Sequence, residues 1–174
     1  MHISDHFSLP YTGMKDGLHK YTFVAGDEFF SHFPDSPIQK GDFTIRVSVD
    51  KRPGLSDLNF DISGRMATAC DRCTADIQLP VYGSYQLVVK TGQENADDVE
   101  VIYIREDQPT LDLTQVIYEF ICLSIPMVRV YACEDENPKV CNQEVLSKLQ
   151  TPGDDSESGM KGSLWDAFMD ISDE

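Results

Sequence analysis

The feature that most constrains the fold is a strict two-residue alternation running through the middle of the chain. Phe43, Ile45, Val47 and Val49 alternate with Thr44, Arg46, Ser48 and Asp50. Successive side chains of a strand point to opposite faces, so this pattern describes a strand with one dry face and one wet face. The period returns at Leu58, Phe60 and Ile62, at Ile77 and Leu79, and at Tyr85, Leu87 and Val89. His19 to Val24 alternates as well, with Tyr21 and Phe23 on one side. Pro53-Gly54 marks a turn, Gly64 breaks the alternation, and Gly83 divides two further pieces. Val99, Val101 and Tyr103 share one face of a later strand and Ile102 and Ile104 the other, which predicts cover on both sides. Short strands with turns between them predict an antiparallel meander, or a partly closed barrel, rather than βαβ units.

One long helix is predicted to cover that sheet. Asp112 reads as its N-cap, Gln115 completes a capping box, and Leu111 staples against Val116. Leu113, Val116, Ile117, Phe120 and Ile121 recur at helical spacing as a single apolar face, and Pro126 ends the run. A short helix is predicted through Glu28–Phe33, capped by Asp27 and stopped by Pro34. The fold class is therefore α+β. Residues 1–150 form one domain of a size that buries roughly 70% of its unfolded surface. Residues 151–174 form an acidic tail, with seven acids against Lys161 after Gly153, and such a composition predicts mobility. Within it Leu164, Phe168 and Ile171 share a helical face beside Trp165, a short amphipathic piece suited to docking on its own domain or on a partner.

The net charge of -16 repels phosphates and anionic lipids at long range. A role near RNA then requires either a basic protein partner or a local basic patch, for which Arg46, Lys51, Arg52, Arg65 and Arg72 are the candidates. The N-terminus lacks a basic start followed by an apolar run, and no apolar stretch reaches eighteen residues. A cytoplasmic protein that crosses no membrane is expected. No phosphate loop, nucleophile elbow or His-Glu-x-x-His helix is present, and all four histidines fall in the first 32 residues. These observations predict no catalytic set and no small-molecule substrate.

The chemistry-bearing residues are cysteines. Cys70-Asp71-Arg72-Cys73 aims two sulfurs the same way from a tight turn, and Cys133 and Cys141 supply a second pair. Four thiolates are the number a tetrahedral structural zinc takes. Such a site would hold one ion with no open position for water. The alternative is thiol–disulfide exchange at Cys70 and Cys73, although a reactive cysteine usually sits at a helix N-terminus and this pair lies between strand-like segments. Cys122 reads as a packing thiol on the helix.

Cys70-Asp71-Arg72-Cys73, then Leu111-Asp112-Leu113, and Glu119 through Leu123-Ser124-Ile125-Pro126, resemble the YceD family, also called DUF177. In that family a Cys-x-Arg-Cys turn is followed by strands, an acidic segment and an Asp-Leu … Glu … Leu-x-Leu-Pro helix. The resemblance covers about residues 40–145, and Leu164–Phe168 is similar to the apolar segment that often closes family members. It implies a non-enzymatic bacterial cytoplasmic factor in ribosome biogenesis, linked to accumulation of large-subunit (23S) ribosomal RNA. It also implies zinc on Cys70, Cys73, Cys133 and Cys141. Partners would be large-subunit assembly components, protein or RNA, with Arg46, Arg65, Arg72, Trp165 and Phe168 as candidate contacts.

Overall fold

A computed structural model describes residues 6–92, 101–105, 107–131 and 140–150. Five strands form one open sheet: β2 (Gly17–Ala25), β3 (Gly41–Arg52), β4 (Leu55–Ala69), β5 (Asp76–Thr91) and β6 (Val101–Ile104), lying side by side in that order. A two-stranded ribbon pairs β1 (Ser8–Leu9) with β7 (Leu111–Asp112). The helices are α1 (Asp27–Phe30), α2 (Thr114–Leu123) and α3 (Gln143–Gln150).

The alternation delivers what it implies. In β3, Phe43, Ile45, Val47 and Val49 are buried, while Thr44, Arg46, Ser48 and Asp50 face the other way. Register carries the same split into β4, where Ile45 faces Ile62, Val47 faces Phe60 and Val49 faces Leu58. Full burial of a large apolar side chain stabilises by about 1.5–3 kcal/mol, and Phe43, Ile45, Leu58 and Phe60 are all essentially inaccessible. Ser56, the buried polar exception, shares a 2.8 Å hydrogen bond with the Tyr11 hydroxyl.

Three expectations are corrected. The sheet is mainly antiparallel as predicted but is not closed, and its last strand β6 runs parallel to β5, with Val88 beside Val101 and Thr91 beside Ile104. Gly64 and Gly83 do not end strands but lie inside the two longest ones, of 15 and 16 residues. A Cβ at Gly64 would run into the Asp42 carbonyl and the Phe43 ring, and one at Gly83 would collide with Ser124. These glycines mark close approach rather than turning. Finally, the helix predicted to be long and covering is α2, of only ten residues, while α1 falls within the predicted short helix and α3 is an addition.

The central helix is short because both of its ends are occupied otherwise. Leu111 and Asp112 are extended in the β7 ribbon, so Leu113 takes the N-cap position and Asp112 caps from one residue further out. Its carboxylate accepts the Thr114 N–H at 2.8 Å. Gln115 does not fold back to close a capping box but donates to Glu119 at 2.7 Å. Leu113, Ile117 and Ile121 are fully buried, and Phe120 stacks on Tyr85 at 4.6 Å and meets Phe60 edge-on at 5.1 Å. Ser124 then lands on Gly83, its hydroxyl donating to the Phe120 carbonyl at 2.7 Å. At the other end of the core α1 contributes Phe29 and Phe30 to an aromatic cluster with Phe7, Phe33 and Phe43.

Candidate functional site: the cysteine turn and its strap

Ala69 and Asp76 are the last pair of the β4–β5 ladder, and the six residues between them form the cysteine turn. The Cys70 N–H donates to the Ala75 carbonyl and the Thr74 N–H to the Cys70 carbonyl, both at 2.8 Å. Closing the turn puts Thr74 at φ 57°, the left-handed region that a β-branched residue rarely occupies. Both sulfur-bearing residues face inward, with Cys70 2% and Cys73 1% exposed.

A strap from the chain's C-terminal third crosses this turn. The Asp71 N–H donates to the Arg129 carbonyl at 3.0 Å, and the Arg129 N–H returns to the Asp71 carboxylate at 2.7 Å. The Arg129 guanidinium also approaches that carboxylate at 3.5 Å. Two residues on, the Tyr131 backbone hydrogen-bonds to the Cys70 sulfur. Burial pushes the Cys70 thiol up, but this bond, the backbone bonds from Cys73 and Arg72 and the Cys73 side chain together outweigh it. Its pKa therefore lies below the ordinary thiol value. Backbone N–H groups aimed at a sulfur stabilise thiolate over thiol, the state in which cysteine binds metal or attacks a disulfide.

Cys141 is 7% exposed and belongs to the same buried cluster as Cys70 and Cys73. Tyr131 and Val140 both line a cavity of about 680 Å³ together with Ala69, Asp76 and Ile77 beside the turn. Cys70 and Cys73 carry free thiols, whereas Cys141 is disulfide-bonded to a residue outside the described set. Cys133 itself lies outside the described residues, and among those described no three His, Cys, Asp or Glu side chains gather at metal-binding distances. Cys141 becomes a thiolate donor only when its disulfide is reduced. The donor chemistry otherwise suits zinc: two buried sulfurs from one tight turn, one of them already biased toward thiolate.

The candidate arginines do not form an unbalanced patch. Register sets Arg46 opposite Asp61 and Arg65 opposite Asp42 on the solvent face of the sheet. Arg52 pairs with Asp50 at 2.6 Å and Asp57 at 3.2 Å. Lys51 points away from them, its ammonium donating to the Tyr11 carbonyl at 2.6 Å and lying 4.4 Å from the Tyr11 ring centre. Arg72 is exposed on the cysteine turn. Trp165 and Phe168 lie outside the described residues.

Sequence reasoning missed the strap and α3. Nothing in the local sequence pattern around Arg129 names Asp71 as a partner. For α3 the signal was present: Asn142 caps, its side chain accepting the Val145 N–H at 3.4 Å, and Leu146 is buried. Cys122 behaves as read. It is a half-buried free thiol whose pKa is pushed up by burial, with Glu119 adding to the rise and a hydrogen bond from Tyr118 opposing it.

An α+β chain with a buried Cys-x-x-Cys hairpin strapped by its own C-terminal third is the class that these observations define. Comparison with known proteins adds a family. The sequence profile of the family described as "Large ribosomal RNA subunit accumulation protein YceD" matches residues 58–167, and the chain belongs to that family. A curated relative, "Uncharacterized protein YlbN" of Bacillus subtilis (strain 168), is 29% identical over 102 residues, 54% of this chain and 57% of the relative. The chain thus spans little more than half the length of that relative. No solved structure matches. Among the described residues no helix is long and apolar enough to cross a membrane.

Proposed function

We propose that this chain is a non-enzymatic cytoplasmic factor that supports accumulation of large-subunit ribosomal RNA, and that it meets the assembling particle through a basic protein partner. A single structural zinc ion holds its two cysteine pairs together. Family membership supports the role. The observation that carries the molecular reading is the Asp71–Arg129 strap, which draws the segment leading to Cys133 onto the Cys70–Cys73 turn. Zinc bound there would be held by Cys70, Cys73, Cys133 and Cys141 and would supply a cross-link.

Charge favours a protein partner over naked RNA. Phosphate contacts are made chiefly by Lys and Arg, and here Arg46, Arg52 and Arg65 each face an aspartate in a chain of net charge -16. A basic ribosomal protein is attracted by the same field that repels RNA. Next to the strap, Met127 is fully exposed and Val128 is 65% exposed, an apolar surface that suits a protein contact. Arg72 on the adjoining turn, with Trp165 and Phe168 of the acidic tail, are the further contacts we assign to that partner.

The second reading, thiol–disulfide exchange, is favoured by the lowered Cys70 pKa. Burial of both sulfurs and their position between two strands weigh against it. Metal analysis of protein purified under reducing conditions without added zinc discriminates: one zinc per chain, lost in Cys70→Ser, supports the structural site. Metal-free protein with a reversible Cys70–Cys73 disulfide supports exchange. The role itself is tested by deleting the gene and complementing with the full chain while measuring the ratio of large- to small-subunit RNA. An unchanged ratio on deletion overturns it. Binding to protein-free large-subunit RNA that is tight and weakens with salt overturns the protein-partner mode.

A further inference from the structure

Among the described residues the sheet ends on one side in β2, whose outer edge pairs with no other strand. Its backbone ladder pairs it to β3, and no other backbone hydrogen bond among the described residues reaches Gly17–Ala25. Nine residues at about 3.4 Å each give roughly 30 Å of unpaired edge. Edges are normally blunted by proline, bulges, short length or charge. This one has no proline and, in a chain of net charge -16, no carboxylate; Lys20 is its only formal charge.

Its exposed side chains have a two-fold pattern. Leu18 and Val24 point to the solvent face, 65% and 63% exposed, and each stands three residues from Tyr21. An antiparallel copy with its axis at Tyr21 sets Leu18 against Val24 of the second copy, twice over. Lys20 then faces Thr22, and Tyr21 faces its own counterpart. Opposite Phe23 comes His19 of the second copy. There the edge borders a cavity of about 650 Å³ lined by Phe7, Phe23, Phe29, Asp27, Glu28 and His32, a lining suited to an imidazole.

We propose that two copies of this chain associate through β2, antiparallel about an axis at Tyr21, joining two five-stranded sheets into one. Backbone bonds supply the affinity, and the alternate side chains set the register. The net charge of each copy opposes association, and salt screens that repulsion. Added salt therefore strengthens the dimer, the reverse of binding to a basic partner.

Sedimentation equilibrium of the full chain under reducing conditions tests this. The expected result is a concentration-dependent rise to twice the chain mass, promoted by salt. The double variant Leu18→Asp/Val24→Asp opposes two carboxylates at each end and should weaken association by about a hundredfold or more. The charge-swap variant Leu18→Lys/Val24→Glu opposes unlike charges and should dimerise about as well as the parent. Amide exchange of Gly17–Ala25 should slow as concentration rises. The proposal fails if the parent stays at one chain mass up to about 1 mM. It fails equally if the double-aspartate variant, folded by circular dichroism, dimerises undiminished, or if the exchange of β2 ignores concentration.

Discussion

The β3–β4–β5 sheet and the strap at Arg129 are held by different physics, although both meet at the cysteine turn. In the sheet, twelve residue pairs join β3 to β4 and fifteen join β4 to β5, with apolar pairs such as Ile45–Ile62, Val47–Phe60 and Leu58–Leu87 on the covered side. The strap rests on the Asp71–Arg129 backbone bond, the Arg129 N–H to the Asp71 carboxylate, a half-exposed ion pair and the Tyr131 bond to Cys70, with Met127, Val128 and Val130 left outside. A ladder of that length is cooperative and tolerates small losses. The strap opens for the cost of a few bonds unless something covalent or metallic reinforces it, as the zinc ion proposed above would.

The largest expected effect is in the sheet. Phe60→Ala empties a site with no exposure that touches Phe120, and should cost about 3–5 kcal/mol by denaturant unfolding. Gly83→Ala comes next. Its methyl group collides with Ser124, so the end of α2 must lift from β5, for about 1–3 kcal/mol. If both losses also release Arg129–Tyr131 in hydrogen exchange, sheet and strap form one cooperative unit and the contrast between them is broken.

At the strap the expected cost is smaller and local. Asp71→Ala removes the acceptor of the Arg129 N–H and one partner of an ion pair 38–44% exposed, for about 1 kcal/mol. Exchange should quicken at Arg129–Tyr131 while β3 and β4 amides stay protected. Equal loosening of the sheet would show that the strap is part of the core.

The same contrast explains what the sequence made legible. Strands such as β3 were readable because one covered face imposes a two-residue period on every residue. The role of Gly64 was not, since a glycine where Phe43 presses on the neighbouring backbone looks in sequence like a glycine at a turn. The parallel placement of β6 and the Asp71–Arg129 pair join residues distant in the chain, and no local pattern encodes them. Asp112 was recognised as a cap but placed one position late, because pairing with Ser8 holds it extended. The arginines showed their number but not that register sets Arg46 and Arg65 each opposite an aspartate. The cysteine turn was visible as a motif, while its burial and the hydrogen bond from Tyr131 required the fold.

The smallest effect tests the other face of α2. Burial raises the pKa of Tyr118, against a hydrogen bond with Ser36, and Tyr118 stacks on Phe33 at 3.8 Å. Burial raises that of Cys122 one residue-turn along. A group whose folded pKa exceeds its unfolded value contributes stability that is full below the unfolded pKa and is lost as pH rises through the folded one. Stability should thus hold to about pH 9 and then decline, as the ordinary thiol and phenol values of 9.0 and 10.0 are passed. Tyr118→Phe combined with Cys122→Ala removes both groups while keeping the ring stack. The alkaline decline should flatten in urea midpoints measured from pH 8 to 11, with little change at pH 7. A decline of undiminished slope would move its origin off α2, and not to Cys70, whose lowered pKa makes stability rise rather than fall with pH.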